Sequence, residues 1–222
     1  MYEQDFETNA TGWTPPESVV LTTSPDSSSS YGLFTGTPYT DFGGYTSTWP
    51  GEWGASIDIY IDPAWADGKG FNYSVATNDS AGVNLRDFGA MVAKDASTGS
   101  LIILFDTRGP STILDDLENY DHYVIDTAGW YTIRHTFKDV DGVLNVDVEL
   151  APNGGTTVYS KTLTGGDQIT DVGGNRYGWF TAIDVDGGLA VDNVVKLGAD
   201  AGRAGSGGGV RRRRRPPAKP HH

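Results

Sequence analysis

Alternation with a period of two is the feature that most narrows what this chain can fold into. Successive side chains of a β-strand point to opposite faces, so alternating apolar and polar residues bury one face and wet the other. SIDIYID (56–62) sets Ile57, Ile59 and Ile61 against Asp58, Tyr60 and Asp62. VLNVDVEL (143–150) sets Leu144, Val146, Val148 and Leu150 against Asn145, Asp147 and Glu149. WYTIRHTF (130–137) alternates with aromatic residues on both sides, and SLIILF (100–105) is apolar throughout, as a strand covered on both faces requires.

Similar runs predict strands at 4–7, 71–76, 87–93, 122–125, 157–163, 178–185 and 189–197, about eleven in all, enough for two packed sheets. DASTG (95–99), DVDG (139–142), PNGG (152–155) and DVDGG (184–188) supply the Asp, Asn and Gly that tight connections need. Helical spacing occurs at Ile113, Leu114 and Leu117, so 110–120 reads as a short helix or an irregular excursion. With 37% hydrophobic residues and six Trp, residues 1–198 have the apolar content for one β-sandwich domain. From Ala199 the chain becomes a Gly-rich, Arg-rich and Pro-rich tail (199–222) that cannot bury a core and is expected to be disordered.

Charge divides the chain the same way. Up to Gly198 nine Lys and Arg stand against twenty-eight Asp and Glu, a net of −19, whereas the remainder carries +6. A body this acidic repels phosphate backbones, so nucleic acid is not its expected partner. With no Cys, disulfides, thiolate metal sites and a Cys nucleophile are excluded. No apolar run is long enough to span a bilayer, and Met1 is followed by polar residues rather than an export signal. The acidic, lysine-poor composition leads us to expect a secreted or cell-surface protein whose signal precedes this sequence.

Asp5-Phe6-Glu7-Thr8 and Gly12-Trp13 at the start, with AVDNVV (190–195) at the end, are similar to the first and last strands of concanavalin A-like and carbohydrate-binding jelly-roll modules. GWYTIRHTFKDVDGVLNVDVEL (129–150) resembles a laminin-G-like strand and hairpin, and FGGYTSTWPGEW and GGNRYGWFTAID resemble segments of bacterial surface proteins. The resemblance implies an all-β, two-sheet antiparallel jelly-roll sandwich. It also implies a structural Ca²⁺ near the first and last strands, with Glu7 and Asp192 as its ligands. The fold hosts lectins, hydrolases, lyases and scaffolds alike, so function must be sought in particular residues.

A glycosidase needs a pair of carboxylates flanking the scissile bond. Asn145, Asp147 and Glu149 have the i, i+2, i+4 spacing found in concanavalin-like hydrolases, but an amide stands first; Asp58, Tyr60 and Asp62 have a phenol in the middle. Both sets also read as the wet faces of amphipathic strands. No G-x-S-x-G, Walker or H-E-x-x-H motif is present.

Sugar binding needs aromatic faces for stacking and planar polar groups for hydroxyls. Tyr45, Trp49 and Trp53 in GGYTSTWPGEWG, and Asn175, Arg176, Tyr177 and Trp179 in GGNRYGW, provide both, and these seven are the expected ligand contacts. The plainer reading is that several of the Trp plug the ends of the sandwich. The expectation is therefore a non-catalytic module that binds a polysaccharide or glycan, or mediates adhesion. The alternatives are a glycoside hydrolase or polysaccharide lyase on the same fold and a structural surface module. Deleting 199–222 should leave the melting temperature within a few degrees; a large drop in thermal denaturation would mean that the Arg run docks on the acidic body.

Overall fold

The computed structural model describes residues 1–23, 29–107 and 116–198. The expected tail and the first part of the 110–120 excursion lie outside them. Fifteen strands form among the described residues: β1 (Tyr2–Gln4), β2 (Trp13–Thr14), β3 (Val19–Thr23), β4 (Ser30–Phe34), β5 (Tyr39–Thr40), β6 (Trp53–Ile61), β7 (Gly70–Asp79), β8 (Asn84–Lys94), β9 (Leu101–Asp106), β10 (Tyr123–Ile125), β11 (Gly129–Val140), β12 (Val143–Pro152), β13 (Tyr159–Gln168), β14 (Val172–Asp184) and β15 (Leu189–Leu197).

Two antiparallel sheets result, the sandwich expected of a jelly roll. The first runs β13-β12-β11-β6-β15-β4-β3, and the second runs β10-β9-β8-β7-β14-β5-β2. One edge of β15 pairs with β6, and its other edge is shared by β4 at Leu189–Val191 and β1 at Val194–Lys196, which ties the first strand to the last. β11 and β12 form the hairpin expected at DVDG, where Asp141 and Gly142 have φ of 53° and 83°.

Each alternation drives its face inward as expected. Ile57, Ile59 and Ile61 of β6, Ile133 and Phe137 of β11, and Leu144, Val146, Val148 and Leu150 of β12 are all fully buried. They meet Phe71, Val75, Phe88, Ile103 and Phe105 of the second sheet in one apolar layer. Each such side chain contributes about 1.5–3 kcal/mol on leaving water. β9 is covered on both faces: Ile103 and Phe105 join this layer, while Ile102 and Leu104 pack outside it with Met91, Ala93 and Leu117. Leu117 belongs to a single 3₁₀ turn, Leu117–Asn119, which is what the described part of the 110–120 segment forms.

The start of the chain departs from expectation. A strand over 4–7 is replaced by β1 over Tyr2–Gln4, because the backbone turns at Phe6 (φ 54°). Gln4 Oε1 accepts the Phe6 N–H at 2.8 Å, and Phe6 drops into the core edge-on to Phe34. A side-chain acceptor two residues back offers the backbone a local alternative to the ladder.

His135 is the polar exception in the layer. Alternation along β11 turns it inward, and it is fully buried. Its Nε2–H donates to the Phe88 carbonyl at 3.0 Å, across the sandwich from β11 to β8. Phe88 lies one residue beyond the end of the β8–β9 ladder at Gly89↔Asp106, so the imidazole serves a carbonyl outside that ladder. Burial pushes the His135 pKa down to about 4, against a smaller upward effect of the Phe88 bond. Between about pH 6.5 and pH 4 the unfolded chain binds a proton here that the folded chain refuses, so stability falls on acidification through that window. In chemical denaturation at pH 7 and pH 4.5, His135→Leu should therefore lose less stability on acidification than the wild type does.

Candidate functional site

The GGNRYGW segment enters β14 through two breaks in register, at Val172/Gly174 and at Asn175/Tyr177. Gly174 has φ 145°, and a Cβ there would stand 1.9 Å from Thr46 Oγ1, so only glycine admits the close approach of the 41–46 loop. Thr46 then closes the junction. The Asn175 N–H donates to Thr46 Oγ1 at 2.9 Å, and that hydroxyl donates to Asn175 Oδ1 at 3.0 Å. Asn175 Nδ2 donates to the carbonyls of Gly44 (3.1 Å) and Asp41 (3.3 Å), and Lys196 Nζ donates to Asn175 Oδ1 at 2.6 Å. Asn175 is fully buried. It is a clasp between loop and sheet, not the expected ligand contact.

Beyond the second break β14 turns Tyr177 and Trp179 to the outer face of the second sheet. Tyr39 of β5, opposite Trp179 in the ladder, joins them. Tyr177 meets Tyr39 with ring centroids 6.4 Å apart and Trp179 with centroids 5.5 Å apart, both near edge-to-face. The Arg176 guanidinium sits 5.3 Å from the centre of the Tyr177 ring, held by an Nη1 bond to the Gly82 carbonyl at 2.8 Å. The Trp179 indole N–H donates to Thr37 O at 3.3 Å. Burial raises the Tyr177 phenol above its ordinary range, and the nearby Asp87 adds to this, so the hydroxyl stays a donor. Tyr45, 59% exposed, lies within electrostatic reach of that phenol.

Of the seven expected contacts, Arg176, Tyr177 and Trp179 thus come together around one aromatic surface, and Tyr45 is exposed on the loop that Asn175 clasps. Trp49 is half-buried and packs against the core. Trp53 is a correction: it is 2% exposed, opens β6, and stacks flat on Phe137 at 3.8 Å between centroids. Trp53, Ala55 and Ile57 share one parity, so the inward face of β6 begins at Trp53 and not after it. Tyr39 was not among the expected contacts, because a strand of two residues leaves no alternation to read.

The wet face of the first sheet carries the carboxylates. Asp147 accepts from Lys138 Nζ and, at 2.6 Å, from Thr162 Oγ1. Glu149 faces Arg134 at 3.7 Å and accepts from Thr157 at 3.3 Å. These are the ion pairs of a solvated sheet face, each strand facing its neighbour. Asp192 lies opposite Asp58 in the β15–β6 ladder. Burial raises the Asp192 pKa to about 6; the Asn193 N–H opposes this, and the charges of Asp58, Glu7 and Asp5 add to it. Glu7 is turned to the Ser30 N–H, with both carboxylate oxygens at 3.2 Å. Calcium takes six to eight oxygens, several of them carboxylate. Among the described residues no group of three or more His, Cys, Asp or Glu is arranged to hold a metal ion. Glu7 and Asp192 are electrostatic neighbours here, and do not by themselves compose the expected calcium centre.

No protein-family model matches the chain, and no curated protein matches it. Among solved structures it is similar to the CBM2 module of the evolved Dit of Lactobacillus casei BL23 phage J-1, at 10% identity over 88% of this chain and 93% of that one, with a TM-score of 0.45. It is similar also to the metal-free lectin I-B4 of Griffonia simplicifolia, at 9% identity over 88% and 97%, with a TM-score of 0.42. The exoplasmic/lumenal domain of VIP36, in its Ca²⁺- and Man2-bound form, matches at 12% identity over 88% and 80%, with a TM-score of 0.42.

A ligand that binds only the folded state raises its melting temperature by mass action. Because Glu7 and Asp192 do not complete a calcium shell, melting curves in EDTA and in millimolar CaCl₂ should coincide. A higher melting temperature in calcium that Asp192→Ala abolishes would return the ion to these two residues.

Proposed function

We propose that the protein is a non-catalytic carbohydrate-binding or adhesion module whose ligand, a polysaccharide or glycan, lies on the outer face of the second sheet. The observation that carries this is the surface made by Tyr39, Tyr177 and Trp179, three partly exposed rings on two paired strands with the Arg176 guanidinium beside them. The apolar face of a pyranose stacks on such rings while its hydroxyls take planar donors at the rim. The surface is held before any ligand arrives, because the Asn175–Thr46 clasp and the Arg176–Gly82 bond fix the segments that present it. Its residues sit at a loop–strand junction, where binding groups are commonly carried on a rigid sheet.

Binding without turnover is the better reading, since the acids on the spacing of a hydrolase strand are engaged by Lys138 and Arg134. A secreted or surface location goes with it, supported by the acidic composition. Among the described residues no helix is long and apolar enough to cross a membrane.

A stacking aromatic ring contributes about 1–1.5 kcal/mol, so Trp179→Ala or Tyr177→Ala should weaken binding in a glycan array by about tenfold while the melt stays cooperative. Trp53→Ala, as the packing control, should instead cost about 3–5 kcal/mol of stability. Reducing ends or unsaturated products released from a polysaccharide panel would replace the binding module with an enzyme. Unchanged binding in both surface variants would remove the platform.

A further inference from the structure

The outer face of the first sheet holds a second aromatic group, and the strand register sets it beside a buried acid. Trp130 of β11 lies opposite Tyr60 of β6, and their rings meet at 5.8 Å and 75°. Tyr31 of β4 reaches Trp130 from the other side, at 5.9 Å and 68°. Between β6 and β4 runs β15, in which Ala190 lies opposite Leu33 of β4 and Asp192 opposite Asp58 of β6. Tyr60 is 36% exposed, and Trp130 and Tyr31 are half-buried.

One step along the same strands come Thr132, Asp58 and Asp192, again cross-strand neighbours. Asp58 is only 7% exposed. Its Oδ1 accepts from Thr132 Oγ1 at 2.6 Å, and its Oδ2 accepts from Asn193 Nδ2 at 3.0 Å and Asn153 Nδ2 at 3.3 Å. All three donors are neutral. No ion pair among the described residues includes Asp58 or Asp192. A carboxylate withdrawn from water without a counter-ion is unusual, since buried charges are normally paired or bound to metal.

A bulge explains how Asp192 joins it. The β15–β6 register breaks between Asp192 and Val195, where Asn193 takes φ 46°. The extra residue keeps Asp192 on the outer face, sends Val194 into the core, and frees the Asn193 amide to reach Asp58.

We propose that Tyr31, Tyr60 and Trp130, with Asp58 and Asp192, form a second contact surface that takes a protonated amino sugar, such as a glucosamine unit of a deacetylated polysaccharide. The ammonium group is set at Asp192 and over the ring faces, where cation–π attraction adds to the charge. A metal ion is the poorer occupant, because among the described residues no group of three or more His, Cys, Asp or Glu is arranged to hold one. A neutral sugar leaves the Asp58 charge unanswered. The inference rests on the glycan reading above and adds a charge preference and a second face to it.

The full chain is titrated calorimetrically with short glucosamine oligomers, with N-acetylglucosamine oligomers of equal length, and with oligolysine of matched charge. The amine oligomer should bind at least about tenfold tighter than its acetylated counterpart. Trp130→Ala and Tyr60→Ala should each weaken it by about tenfold, with Trp130→Phe retaining most of the affinity. Asp192→Asn should erase the preference for the amine. Each variant is read only after a cooperative melt, and Trp130→Phe serves if the alanine variant does not fold. Equal binding of amine and acetylated oligomers overturns the inference. So does oligolysine matching the amine oligomer with no effect of Trp130→Ala, which would mean attraction to an acidic surface and nothing more. Displacement of the amine by calcium would assign the acids to a metal. Loss of all glycan binding in Trp179→Ala would instead show that there is one site, on the other face.

Discussion

Phe137 pins the two sheets together. It stacks flat on Trp53 within its own sheet and meets Phe88 of the other sheet edge-on, with centroids 5.5 Å apart at 90°. Close-packed layers tolerate little change in volume, so this crossing fixes the distance and the offset between the sheets. His135, two residues earlier on the same face, then comes within reach of the Phe88 carbonyl, and Lys196 Nζ rests 5.6 Å from the centre of the Trp53 ring. From Lys196 the contact passes to Asn175 and through it to Thr46. A continuous chain of packing and hydrogen bonds therefore leads from the middle of the sandwich to the loop that supports the outer aromatic surface.

What could be read from the residues and what could not divide along the range of the interactions. β6, β11 and β12 were legible because alternation is written within one strand, and burial on one face follows from it. β2 and β5, two residues each, exist only because neighbouring strands pair with them. Phe6 left its expected strand through a bond from the Gln4 side chain that local apolar pattern does not encode. In the candidate site the clustering of Arg176, Tyr177 and Trp179 was visible, since they are close in sequence. The inward turn of Asn175 was not, because it depends on a break in register beside a loop more than a hundred residues away. Trp53 was hidden by the Pro50-Gly51 turn before it, although its parity with Ala55 and Ile57 was there to be seen. The row of Tyr31, Tyr60 and Trp130 was invisible for a deeper reason: it spans three strands, and sequence reading supplies no register between them.

The two outer faces differ in chemistry as a result. The second sheet presents rings with a guanidinium at the rim and hydrogen-bond donors satisfied by backbone carbonyls. The first presents rings beside acids, with Lys138 and Arg134 spent on Asp147 and Glu149. A sandwich can hold such unlike surfaces because its interior depends only on the inward residues, and alternation leaves every second position free to vary.

The second sheet ends on one side in β2, with two residues, and on the other in β10, with three. An open β-edge is a template on which another chain can add a strand, and the hazard grows with the length of backbone left unpaired. Here the backbone offered at either margin is too short to seat a strand of ordinary length. The first sheet is unlike it, for its margin at β13 runs over ten residues, so a strand added from outside has more backbone to meet there than at either outermost strand of the second.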